Sequence, residues 1–204
     1  MRRVAVKGWL AALAGCLLAA GSAALLAPGP AAAGLKFSDI HGHMTLGFSH
    51  LFVSDTTKTP GGSVSFGAGA DIPIHSKLRA GIDMGYHLLG SQTLVQGSLS
   101  SGIDYSLFEA IAFLHWSPLD HGPDLVVSVG PGLFHTKAEL AATSVGLAFT
   151  PQAVNDTRVG GALFLTALRR KPSPVRPGIT VGVRVIPLEK VTWTVLSGGI
   201  ALAY

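Results

Sequence analysis

The sequence predicts an all-β protein, a closed antiparallel up-and-down transmembrane β-barrel of eight strands. The chain is 48% hydrophobic but only 13% charged, against about 25% charged residues in an average soluble domain. After residue 33 no apolar run approaches the roughly 20 residues that a membrane-spanning helix requires. Apolar residues instead alternate with small or polar ones, which places the two kinds on opposite faces of β-strands. A barrel reconciles these observations, because one face of each strand contacts lipid.

Two consecutive segments, 62–74 and 78–88, show the alternation most clearly. In the first, one face carries the apolar residues Val64, Phe66, Ala68, Ala70, Ile72 and Ile74. The opposite face carries small residues and Asp71. The second segment repeats the pattern, with Arg79 and Asp83 opposite its apolar face. A helix would scatter these charges around its circumference, so both segments are predicted strands.

Six further segments complete the predicted barrel: 44–53, 105–116, 124–135, 157–169, 177–186 and 191–204. The segment 157–169 leaves open which of its faces points inward. The strands have about the length that a tilted bilayer crossing needs, roughly 9–11 residues. Short turns are predicted at 74–78, 118–123 and 171–177, and longer loops at 54–61, 91–103 and 137–156, the asymmetry typical of outer-membrane barrels. Ten strands remain an alternative, because 138–150 could extend the strands or add a hairpin.

The inward face is predicted from its residue types. It is rich in Gly, Ser and charge, small enough for a narrow eight-stranded lumen, whereas a soluble barrel would turn its apolar face inward. Opposite charges inside should pair, because an unpaired buried charge is costly. A filled lumen is therefore favoured over a conducting pore. The predicted interior polar network consists of Asp71, Arg79, Asp83, Glu109 and Arg184.

Residues 1–33 are interpreted as a secretory signal peptide, followed by the barrel domain at 34–204. Arg2, Arg3 and Lys7 precede an apolar stretch, and small residues lead to cleavage after Ala33. A retained membrane anchor and lipidation at Cys16 are the alternatives. Without the three basic leader residues, 12 basic face 11 acidic residues, a net charge of +1. Nucleic-acid binding is not expected, because that function requires a basic surface.

The carboxyl end carries the resemblance to a known family. Ser197, Gly199, Leu202 and Tyr204 match the β-signal of bacterial outer-membrane proteins: polar, any, Gly, any, any, apolar, any, aromatic. The chain from 35 to 204 thus resembles the small eight-stranded barrels of the OmpA, OmpX and OmpW type. The resemblance implies a monomer in the outer membrane, in contact with lipid and lipopolysaccharide. It also implies that the barrel-assembly machinery reads the four matching residues.

The same resemblance frames the expected function. We expect a structural or surface-interaction role through the extracellular loops; the alternative is a narrow channel or carrier for small solutes. A lipid A-modifying enzyme is less favoured: His115-Trp116-Ser117 matches the His-x-Ser element of the lipid A deacylases, but only Asp120 and Asp124 lie near it where that family has a Glu. Catalysis is not expected. His41 and His43 could bind a metal as an i, i+2 pair, but no second cluster completes a site, so neither metal nor cofactor is expected.

Overall fold

The alternating segments form eight antiparallel strands, each hydrogen-bonded to the next, and the last strand pairs with the first to close the barrel. The prediction of a closed up-and-down barrel of eight strands is confirmed. The strands are β1 (His41–Val53), β2 (Ser63–His75), β3 (Leu78–Gln96), β4 (Leu99–Trp116), β5 (Asp124–Ala142), β6 (Ala153–Leu168), β7 (Arg176–Pro187) and β8 (Thr192–Ala203).

This computed structural model describes residues 39–54, 60–96, 99–142, 153–170, 173–189 and 191–204. The described residues all belong to one unit of the chain, Ser38–Tyr204. They contain no helix long and apolar enough to cross a membrane. The predicted signal peptide, its cleavage after Ala33 and the alternative lipidation at Cys16 lie outside the described residues and stay predictions.

Four strands, β3 to β6, extend into the segments 91–103 and 137–156, which the sequence predicted as loops. β3 and β4 continue to pair from Ser91↔Asp104 to Gln96↔Leu99, so the predicted loop 91–103 is wrong: most of it is strand. The register shifts between Leu88 and Ser91, at Gly90, whose positive φ of 82° suits glycine. That irregularity interrupts the two-residue alternation, which is why the sequence indicated a loop.

The predicted loop 137–156 is wrong at both ends for a similar reason. β5 extends to Ala142 and β6 begins at Ala153, and the two strands pair as far as Glu139↔Ala153. Residues 143–152 lie outside the described part of the chain. The four long strands therefore form two tall neighbouring hairpins at one end of the barrel.

We call that end the loop end, and the opposite end, where β1 begins and β8 finishes, the terminal end. The turns that include 76–77 and 117–123 lie at the terminal end, as does the connection after β6. The short connection between β7 and β8 also lies at the loop end. The two ends of the barrel thus differ mainly because β3, β4, β5 and β6 are longer at the loop end.

The outward face is apolar over most of the barrel and becomes polar on the tall β5–β6 hairpin, where His135, Glu139 and Thr157 are exposed. Exposed fractions reach 70% for Phe48 and 66% for Ile179, values that a water-soluble surface would not repeat over a whole barrel. The ambiguity in β6 is resolved: Leu163 and Leu165 point outward, and Ala162 points inward. Further large apolar residues on this face include Met44, Leu46, Phe66, Ile82, Met84, Leu114, Val129, Val181 and Ile200.

The lumen differs between its two halves, and here the sequence interpretation needs correction. Toward the terminal end the inward face is mostly small or polar, although Val126, Leu168, Ala201 and Ala203 form a small buried apolar cluster there. Toward the loop end the strands turn large apolar side chains inward. This apolar plug includes Leu51, Leu89, Leu107, Phe134, Ile186, Trp193 and Val195, and along β4 it continues past Glu109 to Ile111 and Phe113.

Candidate functional site

The strongest polar feature of the lumen is an ion pair beside the apolar plug. Arg184 of β7 donates Nη2–H to Glu109 Oε1 of β4 at 2.7 Å, and its Nε–H to the other carboxylate oxygen. Its Nη1–H is donated to Ser197 Oγ at 2.7 Å. The guanidinium carbon lies 4.5 Å from the centre of the Phe164 ring, a cation–π distance. Both charged side chains are only 4% exposed.

A histidine extends this pair across the lumen. His87 Nε2 lies 3.0 Å from Glu109 Oε1, and His87 Nδ1 lies 2.7 Å from Ser49 Oγ. Gly85 makes the arrangement possible, because a Cβ there would lie 2.7 Å from Glu109 Oε1. The resulting chain Ser49–His87–Glu109–Arg184 joins β1, β3, β4 and β7, so it ties together strands that are not neighbours.

A second polar cluster lies toward the terminal end. Arg79 Nε is 3.4 Å from Asp71 Oδ1, and His43 Nε2 is 2.9 Å from Asp83 Oδ1. A cavity of about 70 Å³ lies among these groups, enough for a few water molecules. His115 reaches into the same region, and its Nδ1 lies 2.7 Å from Ser128 Oγ.

The structure places the five predicted network residues inside the barrel, in two groups rather than one. Glu109 binds Arg184, and Asp71 binds Arg79, whereas Asp83 contacts a histidine. The sequence interpretation did not include His43, His87 and His115 in the network. All three lie on the inward phase of their strands, which is the signal that could have identified them.

The histidines do not form a metal site among the residues that the structure describes: no group of three or more potential ligands is placed to bind an ion. His43, which the sequence paired with His41, contacts Asp83 and lies 3.8 Å from Asp71. The imidazole is therefore used as a partner for carboxylates in the lumen.

The His-x-Ser element divides between the lumen and a turn. His115 is buried against Ser128, and Trp116 points outward, 48% exposed. Ser117 begins the turn at the terminal end, where its backbone N–H is donated to Lys77 O at 3.0 Å. The carboxylates considered as partners bind cations instead: Asp120 contacts Lys77 and Asp124 contacts Arg176.

The residues that match the β-signal lie along β8 and just after it. Ser197 and Gly199 point into the lumen, whereas Leu202 and Tyr204 point outward. Gly199 lies opposite Gly47 of β1, where a Cβ on Gly47 would lie 2.7 Å from the Gly199 Cα. Backbone hydrogen bonds between Tyr204 and Gly42, at 2.9 and 3.0 Å, complete the β1–β8 seam.

Comparison with solved structures supports the fold. One similar structure is Ail, the attachment invasion locus protein of Yersinia pestis, solved in complex with the heparin analogue sucrose octasulfate. It aligns with a TM-score of 0.55 and 11% identity, covering 81% of this chain and 99% of Ail. A major outer membrane protein of Thermus thermophilus aligns at 0.51 and 11% identity, covering 80% and 99%. Neisserial surface protein A aligns at 0.50 and 15% identity, covering 78% and 95%.

No protein-family model matches the sequence, and no curated protein matches it. At these identities the alignments show architecture, not activity. The resemblance expected from the β-signal is confirmed at that level: the chain has the fold of the small eight-stranded barrels of bacterial outer membranes.

Proposed function

We propose that this protein is an integral outer-membrane barrel with a closed lumen and a structural or surface-interaction role, carried by the segments at its loop end. The fold and the apolar outward face support the location. The two tall hairpins support the role, because β3, β4, β5 and β6 extend beyond the other strands at the loop end. On this proposal the barrel is a monomer, surrounded by lipid and lipopolysaccharide, and the assembly machinery recognises its last strand.

The apolar plug is the observation that carries the closed lumen. Leu51, Leu107 and Phe134 are fully buried inside the barrel, which supports a lumen closed to water at this layer. Beside this layer, the bidentate contact between Arg184 and Glu109 joins β7 to β4 across the lumen. An ion crossing the barrel would have to displace large apolar side chains and break a buried ion pair, both costly steps.

A conductance measurement tests the closed lumen. We expect purified protein inserted in planar bilayers to give no ion conductance at any moderate voltage, with a general porin as the positive control for the same bilayers. Stable single-channel steps that scale with protein concentration would contradict the closed lumen. They would support the second candidate function, a narrow channel, for which the polar cavity near His43 would be the inner vestibule.

The surface role predicts a separation of folding from function. Deleting residues 143–152 is expected to leave the barrel folded, because β5 and β6 still pair below the deletion through Glu139↔Ala153. Adhesion of cells that display the protein should then fall to the level of cells that lack it. Heat-modifiable mobility in outer-membrane fractions checks folding. If the deletion variant loses the folded form, residues 143–152 are required for the barrel to fold, and the surface role is not separable from folding.

The geometry also argues against hydrolysis in the lumen, although two Ser–His pairs are present. Ser49–His87–Glu109 has the partners of a catalytic triad, but Ser49 is 2% exposed and lies beside the apolar plug. A hydroxyl that no substrate can reach is a hydrogen-bonding group, not a nucleophile. We therefore propose no catalytic role, and hydrolysis of lipid A by the purified barrel would overturn this part of the proposal.

A further inference from the structure

A polar pocket of about 320 Å³ lies at the terminal end, among the turns between β2 and β3, β4 and β5, and β6 and β7. It adjoins the lumen cavity, whose lining also includes Arg79 and Arg176, and it has no role in the proposed closed barrel. Four cationic side chains line it, against two carboxylates. The cations are Lys77, Arg79, Arg170 and Arg176, and the carboxylates are Asp120 and Asp124.

Three of the four cations are matched by carboxylates. Lys77 Nζ lies 2.8 Å from Asp120 Oδ2, and Arg176 Nη1 lies 2.9 Å from Asp124 Oδ2. Arg79, at the lumen side of the pocket, pairs with Asp71. These contacts fix the positions of the cations around the pocket.

Arg170 is bound differently. Its Nη2–H is donated to the backbone carbonyl of Leu119, which orients the guanidinium; Asp120, the partner of Lys77, also interacts electrostatically with Arg170. Its Nη1 is buried and has no hydrogen-bond partner among the residues that the structure describes. A buried N–H donor without an acceptor costs free energy, and a guanidinium presents its donors in the fork geometry that matches phosphate oxygens.

The position of the pocket indicates where such a phosphate would come from. Trp116, at the end of β4, points outward beside the turn that supplies Leu119 and Asp120. Outward tryptophans mark the level of the lipid headgroups in membrane proteins. Leu119 is itself exposed, so the rim of the pocket offers an apolar contact next to the cations.

We propose that this pocket binds the phosphate of a phospholipid headgroup, with Arg170 as the principal donor and Lys77 and Arg176 as flanking cations. The inference rests on the proposed membrane location. It adds one specific lipid-binding site at the terminal end to the general contact with lipid that the proposed function implies. Basic pockets at membrane surfaces bind lipid headgroups in this way.

The test uses the full barrel, folded in a neutral detergent and titrated with phosphatidylglycerol, with bound lipids counted by native mass spectrometry. Diacylglycerol with the same acyl chains is the lipid control, since it lacks the phosphate. Arg170→Gln is expected to weaken phosphatidylglycerol binding about tenfold, the effect of one charge-assisted hydrogen bond. Arg169→Gln is the matched control, because the neighbouring arginine does not line the pocket.

Arg170→Lys keeps the charge but loses the fork, and it should fall between wild type and Arg170→Gln. If Arg170→Gln fails to fold, Arg170→Lys takes its place as the test variant. Equal binding by all variants, or equal binding of diacylglycerol, would overturn the site. A last titration uses inorganic phosphate and follows its binding by phosphorus NMR. If the barrel binds free phosphate but not phosphatidylglycerol, the phosphate does not come from a lipid headgroup. If the lipid site is disproved in this way while the variants keep normal heat-modifiable mobility, the barrel is still folded and its proposed function is not affected.

Discussion

Glu109→Ala is expected to destabilise the folded barrel by about 3–5 kcal/mol, the usual effect of removing one partner of a buried ion pair. The Arg184 guanidinium would keep only its contact with Ser197 and the face of Phe164. Both residues of the pair are 4% exposed, so the guanidinium would lose its charge partner in a site that is largely shielded from bulk water. His87 would lose the carboxylate near its Nε2 at the same time.

Urea unfolding of the barrel in lipid vesicles, followed by tryptophan fluorescence, measures the effect. Asp120→Asn is the matched control: it also removes a carboxylate from a cation, Lys77, but both side chains are exposed, and exposed pairs contribute little. The hydrogen bond from Lys77 lowers the pKa of Asp120, so the charged form is the one that the control removes at neutral pH.

A double variant separates the charge from the packing. Glu109→Gln with Arg184→Met removes both charges and fills similar volume, so it should recover most of the stability lost by Glu109→Ala. If Glu109→Ala unfolds at the same urea concentration as wild type, the ion pair is not an important contribution to stability. If the double variant is no better than the single one, the loss comes from the shape of the side chains.

The outward face and the strand number could be predicted from the sequence because both depend on local alternation. Residues two apart in β2 and β3 must share a face whatever the rest of the chain does. The pairs inside the lumen depend on register across strands, for example Gly85 opposite Glu109, and register is not visible in a single segment. The charges could therefore be placed inside, but their partners could not be assigned.

The apolar plug was missed for a different reason. Leu89 lies beyond the end of its predicted strand and Ile186 lies at the end of its own, next to positions where connections were expected. At such positions an apolar residue does not show whether it faces the lumen or the lipid. The alternation loses its phase at Gly90, and the predicted strands ended too early. Burial in the structure assigns these residues to the lumen, so the lumen expected to be polar throughout contains a large apolar layer toward the loop end.

Replacing Tyr204 is expected to reduce the amount of assembled barrel in the outer membrane several-fold. The structure gives this residue a contact besides its place in the β-signal. Its ring packs on Gly42, where a Cβ would lie 2.8 Å from Tyr204 Cζ, and its backbone pairs with the same residue at the seam. Tyr204→Ala removes the ring, whereas Tyr204→Phe keeps it and should assemble normally.

Trp116→Ala is the matched control, since Trp116 is also an outward aromatic residue at the terminal end but lies on β4, away from both the seam and the β-signal. Quantifying the heat-modifiable form in outer-membrane fractions should show a loss for Tyr204→Ala that far exceeds the loss for Trp116→Ala. Equal losses would mean that any interfacial aromatic residue has this effect, which would contradict a specific role for the last residue.

Refolding without the assembly machinery then distinguishes recognition from seam stability. If Tyr204→Ala refolds into detergent micelles as fully as wild type but is depleted in cells, the defect lies in recognition of the last strand. If it also unfolds more readily in micelles, the ring on Gly42 stabilises the closed barrel itself. We expect mainly the first result, because the two backbone hydrogen bonds to Gly42 survive the substitution and the rest of the β1–β8 register, from His43↔Ala203 to Val53↔Trp193, is unchanged.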